Sequence, residues 1–282
     1  MLNLGAKLVI LTRISYLRAM KFALITGASS GIGAEYAHQL ARKGHNVIIV
    51  SNQRDANEAI ASELASQYGV TAVPMYADLS TADAAEQIYA TCKVMDAEVD
   101  VLVSNAGVLH FGRFVNTTDE YLDFITALHC TTPMKLCRRF AMDMCARGEG
   151  HILIMSSLTA WTPFPTMSLY GSTKVALKSF AQSLWYELRP YGVSVTTIFP
   201  GAVDTPLYNL SQSKRRLFRS LGVMMSAERL ARCGLRAMFG GRRTCIPGLF
   251  SKIAAFACYL LPAHALLPVM KIPAIRRILE RI

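Results

Sequence analysis

A tyrosine and a lysine four residues apart, Tyr170 and Lys174, fall on one face of a helix, where the lysine's ammonium can reach the tyrosine's phenol. A free phenol has a pKa of about 10, too high for easy proton exchange near neutrality, and a fixed positive charge beside it favours phenolate and lowers that value. Ser157 follows the apolar run Ile152-Leu153-Ile154-Met155. Its hydroxyl should therefore leave the carboxyl end of a strand, the edge at which open α/β sheets bind ligands, and can orient a carbonyl there. The three side chains suit proton exchange with a carbonyl or alcohol oxygen. Taken alone, tyrosine and lysine at this spacing are also a common pair on a solvated helix.

A distant segment weighs against that plain alternative. Thr26-Gly27-Ala28-Ser29-Ser30-Gly31-Ile32-Gly33 follows the apolar run Phe22-Ala23-Leu24-Ile25 and opens a helical spacing through Tyr36, Leu40 and Ala41. Glycine permits the tight backbone and a close pyrophosphate, while the unpaired N–H groups of the helix's first turn and its dipole favour an anion. Gly27, Ser29, Ser30, Gly31, Ile32 and Gly33 are thus candidate cofactor-binding residues. The spacing is T-G-x-x-x-G-x-G rather than the G-x-G-x-x-G fingerprint, and a glycine-rich turn by itself is a weak signal. Combined with Ser157, Tyr170 and Lys174, it points to an enzyme that moves hydride.

With these motifs in hand, the chain resembles the short-chain dehydrogenase/reductase family, in collinear order over roughly residues 20 to 247. Asp78-Leu79 resembles the family's adenine-contacting position. Asn105-Ala106-Gly107, after Val101-Leu102-Val103, is similar to the strand-end N-A-G that lines the cofactor cleft. Pro200, Gly201, Val203 and Thr205 match a P-G-x-V-x-T motif that covers the nicotinamide. The resemblance implies that Tyr170 is the general acid/base, that Lys174 lowers its pKa and holds the nicotinamide ribose, and that Ser157 polarises the substrate oxygen.

One position departs from the family pattern. Where the family usually carries an asparagine thought to support a water-linked proton path to the lysine, this chain has Leu128-His129-Cys130. His129 is a candidate catalytic residue, able to take the asparagine's place through an imidazole nitrogen. Equally, it can be a histidine packed against its own helix.

The end of the second strand bears on cofactor choice. Val47-Ile48-Ile49-Val50 runs into Ser51-Asn52-Gln53-Arg54 with no acidic residue directly after the strand to bond a ribose 2′-hydroxyl. A 2′-phosphate received by polar residues and Arg54 suits that end better, so NADP(H) is expected over NAD(H). Arg54 can also be a solvated residue opening the next helix.

These residues need a scaffold. Short Val/Ile/Leu runs alternate with helical stretches, which implies parallel strands joined by crossover helices. The expected fold is α/β, a doubly wound, Rossmann-like, mostly parallel sheet with helices on both faces, followed by an apolar and basic C-terminal helical extension. The 282 residues, 52% of them hydrophobic, suffice for one such core. Residues 1–19 read as a leader of uncertain role, 20–247 as the catalytic domain and 248–282 as the extension. Seven cysteines without C-x-x-C spacing suggest free thiols in a reducing, cytoplasmic compartment, and the six scattered histidines lack zinc-like spacing, so no metal is expected.

The net charge of +11 is unevenly placed. Residues 22–209 hold 12 basic and 17 acidic residues, whereas residues 210–282 hold 14 basic and 2 acidic ones. No nucleic-acid-binding motif accompanies this excess, and its basic residues are interleaved with aliphatic ones, so a membrane surface fits better than nucleic acid. Ile253 to Met270 carry no formal charge, but Pro262 and Pro268 interrupt them, which favours interfacial helices over a span; packing on the protein itself is the competing account. Lys214, Arg215, Arg216 and Arg219 fall where the family carries a mobile lid, and can meet an anionic group or only water.

The expected activity is NADP(H)-dependent interconversion of a carbonyl and an alcohol, on a small lipid-like or acyl substrate, by a homo-oligomer with peripheral membrane contact. The alternative is a catalytically silent NADP(H) sensor or membrane-associated scaffold with the same fold.

Overall fold

The computed structural model describes residues 20–205 and 224–260. In chain order the elements that position the site are β1 (Met20–Thr26), α1 (Gly31–Arg42), β2 (Asn46–Ser51), α2 (Arg54–Tyr68), β3 (Ala72–Tyr76), α3 (Ala84–Val94) and β4 (Ala97–Ser104). They are followed by α4 (Asp119–Thr126), α5 (Thr132–Arg147), β5 (Gly150–Met155), α6 (Ser168–Leu188) and β6 (Val193–Ile198). The short strands β7 (Ala202–Asp204) and β8 (Met224–Ser226), α7 (Ala227–Phe239), β9 (Thr244–Cys245) and α8 (Leu249–Leu260) complete the described chain.

Among the described residues, seven strands form one sheet in the order β3-β2-β1-β4-β5-β6-β9, each neighbouring pair parallel. The apolar stretches 22–25, 47–50, 101–103 and 152–155 of its inner strands are buried because both faces are covered, as parallel crossover connections require. Leu24, Ile48, Leu102 and Ile152 point into one core with Ile88 of α3, Leu136 of α5 and Leu177 of α6. Their neighbours Ile25, Ile49, Val103 and Leu153 point into the other, with Leu40 of α1, Leu64 of α2 and Leu235 of α7. The period of two along each strand thus feeds two separate cores. β7 and β8 pair apart from this sheet.

One helical stretch is irregular, and it matters for the site. Thr118 opens α4 by accepting the Tyr121 N–H at 3.3 Å, and α4 then runs into α5 through a wider π-helical turn, Ala127–Thr131. Pro133 has no N–H to offer the carbonyl of His129 one turn back, so the regular ladder fails there and the turn widens. At the C-terminal end, α8 sets Ser251 against Gly201, where an added Cβ would lie 2.7 Å from Ser251 Oγ. No helix among the described residues is long and apolar enough to cross a membrane.

Leu102 is fully buried in the central sheet, whereas Val94 is 89% exposed at the end of α3. Leu102→Ala is expected to lower unfolding free energy by about 2–5 kcal/mol, and Val94→Ala to change it by less than about 0.5 kcal/mol. Urea denaturation followed by circular dichroism measures both.

Candidate active site

Strand order reverses between β1 and β4, so their chain connections leave on opposite sides and open a crevice beyond their carboxyl ends. Thr26 closes β1 with a buried hydroxyl that accepts the N–H groups of Asn105 at 3.0 Å and Ala106 at 3.1 Å. In return, Asn105 Nδ2 donates to the Thr26 carbonyl at 3.0 Å. The two strand ends are therefore tied together before any ligand arrives. A Cβ at Gly27 would fall 2.8 Å from Ala106 Cα, and one at Gly33 would fall 2.0 Å from the Gly27 carbonyl oxygen. Gly27 also has φ +65°, a conformation glycine adopts without strain.

The resulting cleft encloses about 460 Å³. Gly27, Ser29, Ser30, Gly31 and Ile32 line one wall, and Asn105, Ala106, Gly107 and Val108 the opposite one. Ser51, Asn52 and Gln53 reach it from the end of β2, Asp78 and Leu79 from beyond β3, and Phe124, Leu128 and Thr205 from further along the chain. Asp78 accepts both the N–H of Ser80 at 3.0 Å and its hydroxyl at 2.7 Å. These bonds hold its carboxyl below the usual range.

Gly107 separates this cleft from a buried cluster. A Cβ there would lie 2.9 Å from His129 Nε2 and 3.7 Å from Lys174 Nζ. Lys174 is 5% exposed; its ammonium donates to the Met155 carbonyl at 3.2 Å and lies 5.5 Å from the centre of the Tyr170 ring. Burial lowers its pKa from the ordinary 10.5 to about 8, partly opposed by the Cys130 thiol. The Ser156 hydroxyl donates to the Lys174 carbonyl at 2.8 Å, which fixes α6 to the end of β5. Next along, Ser157 Oγ accepts the Thr159 N–H at 3.2 Å, a bond that does not consume its own proton.

His129 is fully buried within the π-helical turn and is engaged at both ring nitrogens. Val108 N–H donates to Nε2 at 2.9 Å, and Nδ1 lies 3.0 Å from Thr173 Oγ1. The single hydroxyl proton of Thr173 goes to the Tyr170 carbonyl at 2.8 Å, so Nδ1 carries the hydrogen and donates to Thr173. Burial, reinforced by Lys174, pushes the imidazole pKa down to about 2, which keeps the ring neutral. Its plane meets the Tyr170 ring edge-on at a centroid distance of 5.7 Å.

Residues 21–216 match the short chain dehydrogenase family. The chain belongs to the short-chain dehydrogenase/reductase family. It is 30% identical to human 17-beta-hydroxysteroid dehydrogenase type 3 over 258 residues, 87% of this chain and 79% of that one. It is also 36% identical over 182 residues to the probable oxidoreductase EphD of Mycobacterium tuberculosis, covering 64% of this chain but 31% of that protein, so it spans about a third of that relative's length. Among solved structures, a short-chain dehydrogenase from Sphingobium yanoikuyae in complex with NADPH superimposes with a TM-score of 0.74 at 28% identity, covering 89% of this chain and 96% of that one.

In this short-chain dehydrogenase the glycine turn, Asp78, Leu79, the Asn105–Gly107 loop and Thr205 share one cleft; the His129 ring and the Lys174 ammonium lie just behind Gly107 with the Tyr170 ring beside that ammonium, and Ser157 follows the end of β5. Gly33 sits beneath, packing α1 against Gly27. Arg54 is not among the cleft-lining residues: it begins α2, and its guanidinium stacks 4.1 Å from the centre of the Tyr76 ring. Pro200 and Gly201 lie against Leu158, whose N–H donates to the Pro200 carbonyl at 3.0 Å, and Val203 is buried in the short β7. Lys214, Arg215, Arg216 and Arg219, expected on a lid, residues 1–19, expected as a leader, and residues 261–282 lie outside the described residues.

Three supporting residues escaped the sequence reading. Thr26 bridges the two strand ends, and Thr173 connects His129 to Tyr170. Asn57 accepts the Ser51 hydroxyl at 2.6 Å and donates to the Ser51 and Met75 carbonyls, which holds the cleft's β2 wall. A threonine ending an otherwise apolar strand, and an asparagine in the first turns of a helix, were the available signals.

His129→Ala leaves the half-buried Val108 N–H without its acceptor, at up to about 1–3 kcal/mol, and takes one of two partners from the Thr173 hydroxyl, which keeps its bond to the Tyr170 carbonyl. Turnover is expected to fall at least tenfold, with His129→Asn, which can restore one of the two bonds, intermediate. Steady-state rates and thermal unfolding of both variants check this.

Proposed function

We propose that this protein is an NADP(H)-dependent oxidoreductase that interconverts a carbonyl and an alcohol. The carrying observation is the Lys174 ammonium buried beside the Tyr170 ring at the inner end of a glycine-walled cleft. A dinucleotide fits the residues present. Gly27 and Gly31, both at positive φ, keep one wall of the cleft to bare backbone, so N–H groups of the turn can meet a pyrophosphate closely, and the cleft-lining residue Thr205 has a buried hydroxyl with no partner among the described residues.

The bound nicotinamide would supply or accept the hydride. Ser157 would donate its hydroxyl proton in a hydrogen bond to the substrate oxygen, and Tyr170 would give that oxygen its phenolic proton as negative charge develops. The Lys174 ammonium favours the phenolate that remains, and alcohol oxidation reverses each transfer. His129 acts as a positioning residue. With both nitrogens engaged and the ring neutral, it holds the Val108 end of the cofactor loop to the backbone of Tyr170 and adds no charge beside Lys174. A nucleotide sensor without turnover would have no need of an ammonium kept from water next to a phenol.

Three observations support finer statements. The polar end of β2, with Ser51, Asn52 and Gln53 on the cleft and Arg54 next in the chain, suits a 2′-phosphate and favours NADP(H). Phe124 and Leu128 inside the cleft and exposed Phe111, Phe114 and Phe164 suit an apolar carbonyl, as does the steroid in the human relative's name. Val175 and Tyr186, exposed apolar residues on α6, suit a homo-oligomeric assembly.

Tyr170→Phe removes the proton donor and leaves the glycine walls intact, so turnover of a water-soluble ketone should fall at least a thousandfold with NADPH affinity within about threefold of the parent. Near-parental turnover in this variant would overturn the proposal.

Lys174 is protonated below its pKa of about 8 and neutral above it. The reductive rate should therefore be flat below that value and fall about tenfold per pH unit above it, with no inflection near pH 6 from His129. A pH–rate profile at saturating NADPH tests the sign.

The unmodified protein should also bind NADPH at least tenfold more tightly than NADH in a fluorescence titration, and Arg54→Ala should narrow that gap by weakening NADPH. Equal affinities in the parent would overturn the cofactor assignment.

A further inference from the structure

The last described helix is packed the wrong way round for a helix that only completes a core. α8 turns its small residues inward: Ser251 and Ala255 are buried, with Ser251 Oγ against the Gly201 backbone. Its large apolar residues as far as Phe256 face out, with Leu249 74%, Phe250 55%, Ile253 59% and Phe256 65% exposed. Leu249, Ile253 and Phe256 follow one another at helical spacing and form a stripe on one side of the helix, with exposed Lys252 at its margin. An apolar stripe of this kind calls for a cover.

We infer that this stripe docks on an anionic lipid surface and that α8 thereby brings the mouth of the active site to the membrane. Charge selects lipid over a second copy of the chain. The residues after Leu260 include Lys271, Arg276, Arg277 and Arg281 against the single acidic Glu280, interleaved with Leu, Ile and Val. Two copies joined through α8 would bring two such basic segments together, whereas an anionic bilayer attracts the segment and receives the apolar stripe at once. The position of α8 gives the docking a purpose. Ser251 contacts Gly201, an added Cβ at Gly201 would lie 3.3 Å from the side chain of Leu158, and the Leu158 N–H donates to the Pro200 carbonyl, so the helix packs on the Pro200–Gly201 backbone that adjoins the residue after the candidate catalytic serine. A carbonyl compound dissolved in the bilayer then reaches Ser157 and Tyr170 without crossing bulk water. This inference rests on the carbonyl-reductase reading for its substrate class, while the lipid contact itself does not.

The test uses the full-length protein and a full-length Ile253→Asp/Phe256→Asp double variant, neither residue belonging to the catalytic or cofactor-binding groups. Flotation with vesicles of phosphatidylcholine and phosphatidylserine at 7:3, and with phosphatidylcholine alone, measures docking. NADPH affinity measures folding. The parent should float with the anionic vesicles, and the variant's bound fraction should drop at least tenfold with NADPH affinity unchanged within twofold. The variant's KM should rise at least tenfold for a long-chain ketone dissolved in those vesicles and stay within twofold for a short water-soluble ketone. A parent that does not float, or a variant that floats equally, overturns the lipid contact. A variant that becomes smaller in size-exclusion chromatography while vesicle binding is unchanged assigns the stripe to a second copy instead. Absence of turnover on both ketones with flotation intact would strike the carbonyl-reductase reading and leave the lipid contact standing.

Discussion

An ammonium taken out of water must be held by dipoles already in place, and the burial of Lys174 sets that demand at the centre of this molecule. Its charge is met by the carbonyl that ends β5, and its backbone by the Ser156 hydroxyl one residue further on. Desolvation still dominates, as the fall of its pKa to about 8 records. A cationic imidazole beside it would worsen the position. The His129 ring avoids this by remaining neutral, with its lone pair turned to the Val108 N–H and its proton to Thr173. The ring sits in the π-helical turn, against the glycine at 107 and the hydroxyl of Thr173, so the irregular helix and the buried lysine form one arrangement.

The same economy governs the cleft. Thr26 and Asn105 spend their hydrogen-bonding groups on each other's strand ends, so the opening between β1 and β4 is set by the protein alone. Rigid walls of this kind reduce the ordering that a long, flexible dinucleotide imposes on its host. Glycines 27 and 33 do the complementary work by having nothing to move aside.

What the sequence disclosed and what it withheld divide by distance along the chain. The glycine turn and the Tyr170–Lys174 pair were legible because neighbours within one turn carry their meaning, and the alternation of apolar runs with helices was enough to indicate a parallel sheet. The roles of Thr26 and Thr173 were not legible because Asn105 and His129 lie 79 and 44 residues away, and that of Asn57 because its bond to the Met75 carbonyl spans 18 residues and its bonds to Ser51 depend on where β2 ends. His129 could be read as a proton relay or as packing, since neither the tautomer nor the burial follows from Leu128-His129-Cys130. Arg54 was read toward a phosphate; its stacking on Tyr76, 22 positions on, depends on where β3 ends. Likewise, the extension showed itself as apolar and basic, but only contact with Gly201 decides that the small side of α8 faces inward.

The far edge of the sheet carries a consequence for the order in which the molecule can be made. β9 contributes two residues, yet the Cys245 carbonyl receives the Phe199 N–H at 2.9 Å and the Arg243 carbonyl receives the Thr197 N–H at 2.9 Å. A chain emerging from its N-terminus at roughly 5–20 residues per second can close the glycine turn on Asn105 early, because every strand of that half lies before residue 105. Phe199 waits for Cys245 of β9, 46 residues later, and Ala202–Asp204 wait for β8, 22 residues later. The nucleotide half can thus be complete while the half that carries the chemistry still lacks its edge, and a nascent chain would spend that interval with a sheet margin open to any cofactor or chaperone within reach.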